Sequence, residues 1–180
     1  VYKRQPLQAG YDLVLDSMDR QYDTAGYREL IRRVRRILPD AGISTDIIAG
    51  FPTESQRAFF GTLQFCEEMD FCKIHVFPFS PRAGTPAAAM PDIVGSQERK
   101  SRAVRLILLS NKGVQRWAEK AVGKTVDVIA EPKDGKNRHT GLTSNGVRVC
   151  WPSQTDVTGQ VVRVHLTSTE GGVAVGEAVS

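Results

Sequence analysis

Between Ile43 and Glu54 the chain reads ISTDIIAGFPTE, with two polar residues, Thr45 and Asp46, set in an apolar run that breaks at Gly50 and Pro52. A strand buried on both faces is a near-continuous apolar run, so a carboxylate inside it carries a desolvation cost that something must offset. Two readings are open. Asp46 meets a ligand at the carboxyl end of its strand, the edge where α/β folds bind, or it caps a local turn or pairs with an arginine. Arg82 is a second candidate. It sits in SPRAGTPAAAMPD, residues 80–92, too rich in Pro and Gly for a regular element and therefore a loop. A guanidinium there can clamp a carboxylate or a phosphate; the alternative is a salt bridge that pins the loop. His75, His139 and His165 have no metal-ligand spacing, and Cys66, Cys72 and Cys150 read as buried apolar residues. No residue is assigned a catalytic role or a metal.

Cations are concentrated in two stretches. Residues 96–124 carry eight Lys or Arg against two acids, and residues 20–36 carry six arginines. Each is either a solvated helix face or a surface for a polyanion. Residues 121–180 balance six bases with six acids, so a nucleic-acid role there would rest on Lys133, Lys136 and Arg138 around one turn and on Arg148 of a following strand. No run of about 18 apolar residues is present to span a bilayer. Three cysteines give no disulfide framework, which predicts a cytoplasmic setting.

The elements that must position these residues alternate. Tyr27, Leu30, Ile31, Val34, Ile37 and Leu38 recur at helical spacing, predicting a helix over 23–38 capped by Asp23 or Thr24. A strand follows at 43–50. Thr53 and Gln56 form a capping box for a second helix, then come a strand over 71–79 and a long helix over 96–120. This order predicts an α/β fold with parallel strands for residues 1–120. From 121 to 180, TVDVIAEP, GVRVCWP, GQVVRVHL and VAVGEAV are separated by KDGK, SNG and EGG turns, predicting a small all-β barrel of the OB kind.

In order, PLQAGYD, MDRQY, ISTDIIAGFPTE, KIHVFPFSPRAGTPAAAMPD and the terminal β module resemble the C-terminal part of the radical S-adenosylmethionine methylthiotransferases that modify tRNA, which end in a TRAM domain. The resemblance runs from Pro6 onward. The loop around Arg82 is most similar to the branch acting on N6-threonylcarbamoyl-adenosine. The isopentenyl-adenosine branch is similar in this loop but usually lacks the HVFP lead-in, and the branch acting on a ribosomal-protein aspartate typically has an acid in place of Arg82. The resemblance implies the last part of a radical SAM (β/α) barrel over 1–120, a TRAM RNA-binding domain over 121–180, and tRNA as partner, with no DNA and no membrane. It also implies S-adenosyl-L-methionine as cofactor, met by Gln8, Arg20, Thr45, Asp46 and Gly50. Thr45 and Asp46 would face the barrel mouth, Gly50 would allow close backbone approach, and Arg20 would take the methionine carboxylate or else form a structural salt bridge. Phe77 to Phe79 would border the adenine through their backbone. Ala9 and Tyr11 stand where the family usually shows Ser.

The family holds a 4Fe–4S cluster on a CxxxCxxC loop and a second cluster on an N-terminal cysteine set. Neither motif occurs here. The chain therefore reads as a fragment, inactive by itself, whose first five residues fit a buried strand badly and suggest foreign sequence. A non-catalytic RNA-binding module is the competing reading. Missing neighbours are expected to leave the apolar stretches 43–51 and 71–79 partly uncovered.

Overall fold

A computed structural model describes residues 2–179. The chain divides into two compact units, one of residues 3–39 and 43–110, the other of 111–179 with 2 and 40–42. The elements of the first part are β1 (Tyr2–Arg4), α1 (Asp12–Ser17), α2 (Thr24–Ile37), β2 (Gly42–Ala49), α3 (Gln56–Glu68), β3 (Lys73–Pro78), α4 (Pro86–Ala89) and α5 (Ser96–Glu119). The sheet order is β1-β2-β3, and β2 pairs with β3 in parallel from Ser44–Lys73 to Ala49–Pro78. Helix α2 begins where the Asp23 carboxylate accepts the Gly26 N–H at 2.7 Å, and it buries Tyr27 and Ile31. The expected Thr53–Gln56 capping box is replaced by Ser55, whose hydroxyl oxygen accepts the Ala58 N–H at 3.1 Å. Thr53 lies too early to reach the first helical turn.

Three further expectations need correction. The loop at 80–92 contains the one-turn helix α4, which Pro86 can start because an N1 residue has no intrahelical use for its N–H. Residues 2–4 form β1 despite their charge, because all three are exposed at a sheet edge and not buried in its middle. Val1 lies outside the described residues. The stretch 43–51 is largely covered, with Ile43, Ile47 and Phe51 buried, whereas 71–79 is partly uncovered as expected: Phe71 and Ile74 are buried and Val76 and Phe79 only half-buried. Phe77 is exposed, at 47%.

The terminal module has five strands: β4 (Thr125–Ile129), β5 (Arg138–Leu142), β6 (Arg148–Pro152), β7 (Val161–Glu170) and β8 (Val173–Ala178). Their order is β4-β7-β8-β6-β5, and bridges Val128–Thr143 and Glu131–Thr140 return β5 to the β4 side, closing a small barrel. The β6–β8 pair is parallel and the others are antiparallel, the Greek-key arrangement of an OB-type barrel. Val128, Val149, Trp151, Val164, Leu166 and Ala174 fill it. Ala118 and Ala121 belong to the same core, so the end of α5 counts with the barrel and the two units divide between residues 110 and 111. Strand β5, RHTGL, was not anticipated: its inward residues are His139 and Gly141, which give no apolar alternation to read.

Candidate functional site

A cleft of about 570 Å³ opens at the carboxyl ends of β2 and β3, and it gathers Gln8, Arg20, Asp46 and Arg82 around the apolar walls Ile48 and Phe77. The parallel register that puts Asp46 beside His75 and Ile48 beside Phe77 turns these side chains to one face. Gln8 is held against β2: its N–H donates to the Asp46 carbonyl at 2.8 Å and its carbonyl accepts the Ile48 N–H at 2.9 Å. Its φ of 69° is left-handed for a residue with a Cβ, a conformation that the sheet bonds enforce. Arg82 is placed by a turn in which the Thr85 hydroxyl donates to the Arg82 carbonyl at 2.8 Å. Among the described residues neither the Arg20 nor the Arg82 guanidinium makes an ion pair. Both are free to take a ligand carboxylate or phosphate.

Asp46 has a protein partner. The Arg4 guanidinium reaches its Oδ1 at 2.6 Å, with the Asp46 side chain 15% exposed and that of Arg4 about half exposed. This is the arginine pairing left open above, and it coexists with a position on the cleft wall. Burial, with Arg4 and Lys73 adding to it, holds the neighbouring His75 imidazole below its usual range, so it is neutral at pH 7.

Two residues expected to meet a cofactor have other work. Thr45 follows the opposite face of β2. It is fully buried, its hydroxyl donates to the Gln5 carbonyl at 2.8 Å and its oxygen accepts the Leu7 N–H at 3.0 Å. Adjacent strand residues point to opposite faces, so Thr45 and Asp46 cannot both face the cleft. Gly50 lies off the cleft as well. Its φ of 73° suits glycine, and a Cβ there would sit 2.6 Å from Arg99 Cγ. The close approach is made by an arginine of this chain.

The turn after β2 is fixed by groups that the sequence gave no means of connecting. Glu54 is fully buried; its Oε2 accepts the Gly50 N–H at 2.9 Å and an Arg102 N–H at 2.9 Å. Burial, opposed by Arg102 and by the Gly50 N–H, raises the Glu54 carboxyl above its ordinary range. Arg102 also reaches Glu98 at 2.9 Å. One turn earlier, Arg99 donates to the Gly50 carbonyl at 3.1 Å, pairs with Asp92 at 2.7 Å and lies 5.5 Å over the ring of Phe79, itself a cleft residue. Two arginines on the first turns of α5 thus tie down the β2 end of the cleft. A pairing across 48 residues leaves no local sequence signal.

On the barrel, the outward residues of β5 and β6 bring Arg138 and Arg148 to one face. Arg138 pairs with Asp134 and Glu170, each at 3.0 Å, and Lys136 reaches Glu170 at 3.4 Å. Arg148 pairs with Glu131, and Lys133 donates to the Ser153 carbonyl at 2.8 Å. All four expected RNA contacts are engaged within the barrel.

Burial pushes the Cys66 thiol up to about 12 and the Cys72 thiol up to about 11, and Cys150 is buried and raised too. Among the described residues no group of three His, Cys, Asp or Glu is placed to hold a metal, and no helix is long and apolar enough to cross a membrane. Since the thiolate is the reactive form, none of the three cysteines should react with a chromogenic disulfide at pH 8 in the folded chain, and all three should react in denaturant. Rapid native labelling of any one would contradict the packing.

Comparison with known proteins gives the class. The chain is 38% identical over 176 residues to the tRNA-2-methylthio-N(6)-dimethylallyladenosine synthase of Symbiobacterium thermophilum, covering 97% of this chain and 37% of that protein. It is 36% identical over 180 residues to the synthase of the same name from Bacillus subtilis, covering 97% of this chain and 35% of that protein. The threonylcarbamoyladenosine tRNA methylthiotransferase of Bacillus subtilis is 32% identical over 165 residues, covering 89% of this chain and 37% of that protein. No family model matches. These likenesses support the tRNA methylthiotransferase family, without singling out either branch, and the chain spans little more than a third of the length of these relatives.

Proposed function

We propose that this chain is the cofactor-facing and tRNA-facing C-terminal part of a tRNA methylthiotransferase that adds a methylthio group to C2 of N6-threonylcarbamoyl-adenosine next to the anticodon. The observation that carries this reading is the cleft at the strand ends, where two guanidiniums without an ion pair among the described residues, Arg20 and Arg82, stand beside Gln8, Asp46 and the exposed face of Phe77. The chemistry of that set fits S-adenosyl-L-methionine. Arg20 matches its carboxylate, the Gln8 amide and the Asp46 carboxylate offer acceptors to its amino or hydroxyl groups, and Phe77 offers apolar surface to a purine. The three buried thiols do not fit a 4Fe–4S cluster, whose ligands are therefore assigned to other parts of the enzyme. Cofactor and clusters together would supply the radical chemistry that replaces the C2 hydrogen by sulfur. This chain binds, orients and closes one side of the site. Arg82, on the loop at the mouth, matches the carboxylate that a threonylcarbamoyl group carries.

A second reading, modification of an isopentenyl-type adenosine, is favoured by the names of the relatives from Symbiobacterium and of one of those from Bacillus. Nucleoside mass spectrometry of tRNA from a strain deleted for the whole gene decides between them. Loss of the methylthiolated threonylcarbamoyl nucleoside is the expected result. An unchanged level of it, with loss of the isopentenyl counterpart, would transfer the assignment to the second reading.

A further inference from the structure

On the β5–β6 face of the barrel Arg138, Lys136 and Arg148 are answered by acids of the same barrel and Lys133 by a backbone carbonyl, and that arrangement has a consequence for polyanion binding. Asp134 is built into its turn: its Oδ1 accepts the N–H groups of Lys136 and Arg138, each at 2.9 Å, so its charge has a structural use. Glu170 and Glu131 differ. Glu170 sits where β7 turns into β8 and makes side-chain contacts to Arg138 at 3.0 Å and Lys136 at 3.4 Å, with its carboxylate more than half exposed. Glu131 contacts Arg148 and the Thr140 hydroxyl and is a little under half exposed. Arg138 first, then Lys136, holds the Glu170 carboxyl below its usual range. Ion pairs that remain in contact with solvent contribute little to stability, while a phosphate offers a guanidinium the same two-oxygen geometry as a carboxylate.

We infer that Glu170 and Glu131 are intramolecular counter-ions that occupy the positions taken by tRNA backbone phosphates, so that RNA binds this face by displacing them from Arg138, Lys136 and Arg148. The inference rests on the RNA-binding reading above. It explains why the module can carry balanced charge and still offer a polyanion surface: three cations become available only in exchange. The two glutamates lower affinity for any stray anion, since the face carries three acids against Lys133, Lys136, Arg138 and Arg148 until they are displaced.

The test uses the 180-residue chain and fluorescently labelled tRNA, with anisotropy read across roughly 50 to 200 mM salt. Glu170→Gln and Glu131→Gln should each tighten binding about three- to tenfold at the lower salt. Each should also steepen the salt dependence, by up to about 0.9 in the log–log slope per freed cation. The gain of Glu170→Gln should vanish when Arg138→Gln is added. Glu177→Gln, an equal charge change on β8 outside this cluster, should give a smaller gain. If the parent chain binds tRNA and Glu170→Gln binds it no better, or no better than Glu177→Gln does, the counter-ion role is wrong while the RNA-binding reading stands. If neither the parent nor any variant binds tRNA, both are overturned.

Discussion

Arg102→Met should destabilise the α/β unit by about 3–5 kcal/mol, the range for removing one partner of a buried ion pair. The side chain is 6% exposed and its partner Glu54 is fully buried, with Oε1 of that carboxylate lacking a hydrogen-bond partner among the described residues even in the parent. Without Arg102, only the Gly50 N–H would answer the charge at Oε2. The pH dependence has a definite sign. Glu54 already has a raised folded-state pKa, so its contribution to stability is present at acid pH and lost as pH rises through that value. Removing Arg102 raises it further. The deficit of Arg102→Met should therefore be greatest at neutral pH and shrink toward the carboxylate range, as protonation discharges the buried group. Denaturant melts of parent and variant across this pH range measure it. Adding Glu54→Gln should recover much of the loss at neutral pH and flatten the pH dependence. A deficit below about 1 kcal/mol, or one that grows on acidification, would show that Arg102 is not the counter-charge. Because Arg102 and Arg99 together hold the turn next to the cleft, the same variant should loosen the wall that Phe79 provides.

Gly141→Ala should cost the barrel about 3 kcal/mol or more, the upper end for an added methyl in a packed interior. An added Cβ would lie 2.3 Å from the Ile129 carbonyl oxygen and 2.5 Å from Val128 Cγ1. Those atoms belong to β4, so the clash falls where β5 closes the barrel, beside the bridges Val128–Thr143 and Glu131–Thr140. A barrel of about 60 residues has little stability in reserve, and the substitution should unfold much of it at 37 °C. Trp151 reports on this: it is fully buried and its ring stacks 5.8 Å from that of His139 on β5. Its near-ultraviolet dichroism should be largely lost in the variant. A signal and melting midpoint like those of the parent would show that β5 does not close against β4 in this way.

The residues themselves determined most of the elements. Helical spacing marked α2, an apolar run marked β2, and Gly-containing turns marked three of the barrel's connections, because each of these is a local preference that a short window contains. The candidate site was legible in part: Asp46 stood out as a carboxylate in an apolar run and Arg82 as a guanidinium in a Pro- and Gly-rich loop, Gln8 and Arg20 were implied by the family resemblance, and in the folded chain all four line one cleft. Thr45 could have been set aside from the sequence, since a strand alternates its faces and Asp46 is the next residue. The rest needed the tertiary structure. That Gly50 makes room for Arg99, that Glu54 is neutralised by Arg102, that RHTGL closes a barrel and that Arg138 and Arg148 are already answered by acids are facts about pairs of residues. Such pairs are brought together by burial and sheet register over long separations, and residue type alone shows a charge or a glycine without showing what stands opposite it.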